Sequence, residues 1–248
     1  MAYSQANAYS LELDQIQVRA TRYMSDVYIR MLLAVAASAG IAYMSIQSGL
    51  LLWGLQNLGR WFSLAIFGTQ LLTVIAFQGA VFRMKGTAAQ ALFAVYAAVT
   101  GLTLGMVGLI YRLDSIVTVG LISACGFAGL AAYGKLTKRD LGFVGTFCIM
   151  GLTMMLVYAL GIFVAGFFPA FQAYAEGAIR FQSAIGCLLF AGLTAYEAQR
   201  LKRIAFSLAK ESSSDSEIEA YVNSGALTMY MNFIGLFLNL MRLMGNRR

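Results

Sequence analysis

The chain has no histidine, a single proline and three cysteines in 248 residues, and only 12% of it is charged. Without histidine it can build neither a zinc-protease helix nor a Ser-His or Cys-His nucleophile pair. Pro169 is the one proline, so few helices should be kinked by a missing backbone donor. Cys125, Cys148 and Cys187 each fall inside an apolar stretch. A lone cysteine there behaves as a small hydrophobe, and packing rather than a disulfide is the expected role. No lysine lies inside an apolar stretch, so a retinal Schiff base has no anchor. Glu197 is the only carboxylate within the body of such a stretch. An aspartyl-protease pair is therefore missing, and one acid does not supply the several charged oxygens of a dedicated calcium cage. No glycine-rich phosphate loop appears in an αβ context. These absences argue against an enzyme, a resident metal and a cofactor.

What is there is apolar. Hydrophobic residues make up 60% of the chain, while its charged share is about half that of a soluble domain. The apolar residues come in blocks of roughly 20, the length that crosses a bilayer as helix. In lipid, backbone groups must pair internally, so the blocks read as helices. The 25 glycines suit close helix packing. The expectation is an all-α polytopic membrane protein with seven spans: Met31–Leu52, Trp61–Val81, Ala88–Tyr111, Ile116–Tyr133, Leu141–Phe168, Phe181–Ala198 and Val222–Met244. Residues 1–30 then form a polar arm before a transmembrane domain of residues 31–248. In that arm Leu13, Ile16, Ala20, Tyr23 and Val27 recur at helical spacing. This suits either an amphipathic helix lying on the membrane surface or a lead-in to span one. The first residues are polar and acidic where a signal peptide would be basic. The 203–221 loop contains KESSSDSEIEA, which reads as a flexible polar stretch.

The net charge of +7 follows the positive-inside pattern rather than pointing to nucleic acid. Twelve of the 18 cations lie in the arm and in the loops after spans two, four and six, whereas the intervening loops hold only Arg60, Arg112 and Arg180. The N-terminus is thus expected in the cytoplasm. One conflict stands: seven crossings put the C-terminus outside, yet it carries Arg242, Arg247 and Arg248.

Three groups of residues could carry chemistry. Glu197 is near the end of span six, with Arg200 three residues on. It reads either as a surface ion pair, worth about 0.2–0.5 kcal/mol, or as a titratable group partly out of water. In the second case desolvation and the neighbouring guanidinium pull its proton equilibrium in opposite directions. In span seven, Gly225, Thr228, Asn232, Gly235, Asn239 and Arg242 recur at spacings of three and four and keep to one stripe of a helix. The stripe either lines a polar pathway or packs against other helices, with the asparagines as hydrogen-bonding groups. In span three, Gly101 and Gly105 form a small-xxx-small contact pattern, and Thr100 and Thr103 could offer hydroxyls to a pathway.

Three stretches together resemble the Bax inhibitor-1 (transmembrane Bax inhibitor motif) family: YGKLTKRDLGFVGTF from Tyr133, AGLTAYEAQRLK from Ala191, and GALTMYMNFIGLFLNLMRLMGNRR from Gly225. The short loops and compact tail look like a bacterial member, which implies an inner-membrane location. The resemblance implies a seven-helix bundle with the last helix central. It also implies either a pH-sensitive calcium leak or a cytoprotective regulator, in bacteria one that acts on a membrane quality-control protease. In that family a pair of aspartates coupled to an arginine closes the calcium path. Residue by residue, these positions fall on Glu197, Asn232 and Arg83. Asn232 replaces an acid, so two-step proton sensing by a coupled carboxylate pair is expected to be lost. The amide could still hydrogen-bond to Glu197.

Overall fold

A computed structural model describes residues 2–80, 86–165, 172–211 and 214–247, which form eight helices. These are α1 (Ala2–Gln47), α2 (Leu50–Leu58), α3 (Arg60–Ala80), α4 (Gly86–Ile110), α5 (Leu113–Leu136), α6 (Gly142–Ala165), α7 (Gln172–Glu211) and α8 (Asp215–Met244). Among the described residues the only extended pairing is an isolated bridge between Tyr111 and Arg247. Among the described residues six helices are long and apolar enough to cross a membrane, and the α2–α3 pair makes a seventh if counted as one span. The all-α polytopic architecture expected from the sequence is the one observed.

The departures lie at helix ends. The first span was expected to run on to Leu52, but α1 stops at Gln47, because Gly49 takes a left-handed conformation with φ 70°. Glycine pays no steric cost there. Gly59, at φ 54°, stops α2 in turn, and α2 and α3 meet at 113°. At its other end α1 does not pause between arm and span. Its 46 residues make a helix of about 70 Å, more than twice the ~30 Å hydrocarbon core. Helix α7 likewise runs 13 residues past the expected end at Ala198. At the start of α8, Ser214 and Glu217 form a reciprocal capping box: Ser214 N donates to Glu217 Oε2 (3.2 Å), and Glu217 N donates to Ser214 Oγ (3.4 Å).

The most and the least apolar spans stand at opposite ends of the burial range. Across an 18-residue apolar stretch, α6, the most apolar span, is 11% buried, whereas α8, among the least apolar, is 50% buried. A water-soluble fold would bury its most apolar helix; a membrane fold turns it to lipid and keeps the polar one inside. Several hydroxyl side chains within the spans bond to their own helix. Ser123 Oγ, Thr153 Oγ1 and Ser183 Oγ each donate to the carbonyl four residues back. The three cysteines are free, but only Cys148 is buried, and Cys125 is exposed.

The chain divides into two compact units. One comprises residues 1–109 and 201–230, the other 110–200 and 231–248. In the first, Ala20 and Met24 of α1 pack on Ala205 and Ala209 of α7, so one face of the N-terminal arm lies against protein. Deeper in this unit, Gly101 and Gly105 of α4 let α1 approach: a side chain on Gly101 would meet Ser38 and Ile41, and one on Gly105 would meet Ser45. This is the contact expected of the small-xxx-small pattern.

In the second unit, α7 is seated on α5 and α6 by glycines on both sides. A Cβ on Gly134 would strike the carbonyl of Ala195, one on Gly145 the Tyr196 ring at 2.5 Å, and one on Gly192 the Cys148 sulfur at 2.7 Å. The tail after α8 is pinned to the α4–α5 turn. Arg112 N donates to Asn246 O (3.1 Å), Asn246 N donates to Ser115 Oγ (3.0 Å), and Gly245 lies against the Tyr111 ring. Tail and α4–α5 turn therefore share one side of the membrane, as seven crossings require.

Candidate functional site

The stretch Tyr133–Phe147 meets residues 192–199 of the stretch Ala191–Lys202 in the second unit, and the contact sets Glu197 relative to a turn between two spans. Thr137–Leu141 is the short turn between two spans, so it marks a membrane face. Gln199 clamps this turn. Its Oε1 accepts from Leu141 N (3.0 Å), and its Nε2 donates to Arg139 O (2.7 Å). The amide thus supplies an acceptor to one of the unpaired N–H groups at the start of α6. Asp140 Oδ1 accepts from Gly142 N at 3.1 Å beside it. Gln199 stands at the membrane face, and Glu197, two residues earlier on α7, is about 3 Å deeper.

Glu197 is buried, its side chain 8% exposed, while that of Arg200 is 55% exposed. Arg200 Nη1 donates to both carboxylate oxygens, at 3.3 and 3.4 Å. Both distances exceed the 2.7–2.9 Å usual for a charge-assisted bond. The carboxylate is thus withdrawn from water, and its partner reaches down to it from the polar side.

Asn232 is also buried, 2% exposed, and its Nδ2 makes no hydrogen bond. The expected bond from Asn232 Nδ2 to Glu197 is not formed. Buried amide donors are nearly always paired, so Asn232 holds an unused donor at membrane depth. Arg83 lies outside the described residues.

Elsewhere the stripe on α8 is engaged in packing. A side chain on Gly235 would strike the Phe190 ring, and one on Gly186 of α7 would meet the Asn239 amide. Asn239 Nδ2 donates to Gly235 O at 2.7 Å, and Thr228 Oγ1 donates to Ser224 O at 3.0 Å. Gly235 and Asn239 thus belong to an α7–α8 seam. Thr100 and Thr103, in the first unit, share one partner on α3. Gln70 Nε2 donates to Thr100 Oγ1 (3.0 Å), and Thr103 Oγ1 donates to Gln70 Oε1 (3.3 Å).

Several engaged residues escaped the sequence reading. Gln199 is one; its signal is a polar residue two positions after Glu197 at a span end. In the first unit Ser38 Oγ and Tyr230 Oη lie 2.5 Å apart, and Ser38 Oγ also stands 2.8 Å from one backbone carbonyl of α1 and one of α4, which share its single proton. Arg30, counted only as a positive charge, donates to Asn223 Oδ1 and pairs with Glu219 at 3.8 Å. Gln90 Nε2 donates to the same Glu219 oxygen at 2.7 Å. No sequence periodicity joins residues almost two hundred positions apart.

Fold and site together define a polytopic all-α membrane protein with a carboxylate buried at one membrane face. Residues 20–248 match the family model described as Inhibitor of apoptosis-promoting Bax1. The chain belongs to the Bax inhibitor-1 family. It is 32% identical over 226 residues to the inner membrane protein YbhL of Escherichia coli strain K12, covering 91% of this chain and 92% of that protein. An uncharacterized protein of Borreliella burgdorferi is 36% identical over 189 residues, 75% of each chain. One of Rickettsia prowazekii is 33% identical over 230 residues, 92% of this chain and 90% of its own.

Proposed function

We propose that this chain is a bacterial inner-membrane cation leak, with calcium the foremost ion, closed at Glu197. The observation that carries the reading is the Glu197–Arg200 pair. A buried carboxylate is held by one solvent-exposed guanidinium through two long hydrogen bonds. Such a pair holds while the acid is ionised and weakens when it is protonated, because the charge that holds the guanidinium is gone. With Asn232 in place of a second acid, one proton rather than two operates the closure. The name of the YbhL relative supports the inner membrane as the location. The charge pattern of the loops supports a cytoplasmic N-terminus.

Calcium flux into vesicles containing the purified full-length chain tests this, followed from mildly alkaline to mildly acidic pH. The expected result is a shallow rise on acidification, with a slope of about one proton. Glu197→Gln should show raised flux with the pH response gone. A two-proton slope that persists in Glu197→Gln would overturn the reading.

A second reading is a non-conducting regulator that binds a membrane protease or another membrane protein. What favours it is the length of α1, whose N-terminal part reaches beyond a single span and exposes Leu13 and Val18. The acidic segment 211–219 is the other contact surface this reading would use. Under it, vesicles with the protein would show no more flux than protein-free ones, and the chain would co-purify with a partner that deletion of residues 2–18 removes.

A further inference from the structure

The Gln199 clamp has a further effect on charge. By binding Arg139 O and Leu141 N, it holds the cationic α5–α6 turn against the residue that precedes Arg200. Lys138 and Arg139 are exposed, and no acid pairs with either among the described residues. The acid of the turn, Asp140, is engaged in capping α6. The side chain of Arg200 is more than half exposed, and its guanidinium is held by Glu197 only through two long hydrogen bonds. Three exposed cations thus lie on the turn and on the α7 residue next to its clamp, beside Glu197, the one buried carboxylate among the described residues; a turn between two spans stands where headgroups are within reach of long cationic side chains. Lysine and arginine stems reach from such positions to headgroups, and each juxtamembrane cation contributes about 1 kcal/mol toward an anionic leaflet.

We propose that Lys138, Arg139 and Arg200 form a headgroup site for an anionic phospholipid, and that the bound phosphate draws Arg200 away from Glu197. The phosphate and the Glu197 carboxylate compete for one guanidinium, so by linkage each weakens the other's hold on it. Headgroup binding stands independently of the flux reading; only its consequence, an opened closure, rests on that reading.

Lipid retention by the purified full-length protein, read by native mass spectrometry, tests the site with phosphatidylglycerol against phosphatidylcholine. The wild type should retain phosphatidylglycerol selectively. The double variant Lys138→Gln/Arg139→Gln should lose about thirtyfold in that affinity, from about 1 kcal/mol per cation. This variant leaves the backbone atoms of the clamp in place, so an unchanged melting temperature separates lost binding from lost fold. Glu197→Gln should tighten binding about twofold to fivefold, the range set by an ion pair of about 0.5–1 kcal/mol. An unselective wild type, or an unaffected double variant, would overturn the site. Unchanged affinity in Glu197→Gln would overturn the competition. Displacement of the lipid by inorganic phosphate would show a soluble-anion site and overturn the lipid assignment. If every lipid gives vesicles without flux while the retention pattern holds, the leak reading fails and the headgroup site stands.

Discussion

At the scale of single residues, the chemistry turns on which polar groups at membrane depth have partners. Asn232 has an unused donor, and replacing it by aspartate puts a second buried acid on the α8 stripe that packs against α7. Two interacting carboxylates titrate in two macroscopic steps. Asn232→Asp should therefore steepen the pH dependence of calcium flux from about one proton toward two, and vesicle assays across neutral pH would show it. An unchanged slope would mean that position 232 is not coupled to Glu197. Gln199 is the residue whose loss should be felt as stability. Gln199→Ala removes two hydrogen bonds and leaves Leu141 N, a buried donor, without its acceptor. At about 1 kcal/mol per bond, plus the cost of the orphaned donor, a loss of about 2–4 kcal/mol is expected, read as a lowered melting temperature in detergent. Glu197 stood out in the sequence because a charge in an apolar run is rare. Gln199 did not, because its role depends on a turn that lies 58 residues away.

At the scale of helices, glycine position decides what substitutions do. A methyl group on Gly134 would meet the backbone carbonyl of Ala195, which has no side-chain rotamer by which to move away. Gly134→Ala should force α5 and α7 apart and cost about 1–3 kcal/mol, the range for overpacking. Gly126, also on α5, has nothing within 4 Å of a Cβ. Gly126→Ala should be neutral or gain up to about 1 kcal/mol from helix propensity. Thermal unfolding of the two variants side by side checks the contrast. Equal effects would show that the α5–α7 approach is not as close as the helices here define it. The sequence carried the existence of these helices in its apolar blocks, since length and polarity are local properties. It did not carry their ends. Gly49 and Gly59 terminate helices only because their backbones take positive φ, while Gly101 and Gly134 serve as contact sites, and nothing local tells these uses apart. The segment 211–219 shows the same limit: its composition suggested a flexible loop, yet Ser214 and Glu217 stand at the capping-box spacing and start α8.

At the scale of the whole molecule, the open question was the tail, where three arginines ran against the positive-inside pattern. Charge counting weighs loops independently and has no means of seeing which of them touch. The bonds from Arg112 N to Asn246 O and from Asn246 N to Ser115 Oγ bring the tail onto the α4–α5 turn. The capture also accounts for Gly245, which packs where a Cβ would meet the Tyr111 ring at 2.7 Å. A single crossing, α5, separates this turn from Lys138 at the α5–α6 turn. Positions 112 and 246 should therefore react from one face and position 138 from the other. The test uses single-cysteine variants Arg112→Cys, Asn246→Cys and Lys138→Cys, in a chain whose three native cysteines are replaced by alanine. A membrane-impermeant maleimide applied to intact cells and to inverted vesicles reads the side directly. The expected pattern is labelling of 112 and 246 in intact cells and of 138 in inverted vesicles, because the loop cations set the N-terminus inside. The reverse pattern for all three would keep the seven crossings and invert the orientation. Labelling of 246 together with 138, apart from 112, would show that α8 does not cross, and would remove the tail's contact with the α4–α5 turn.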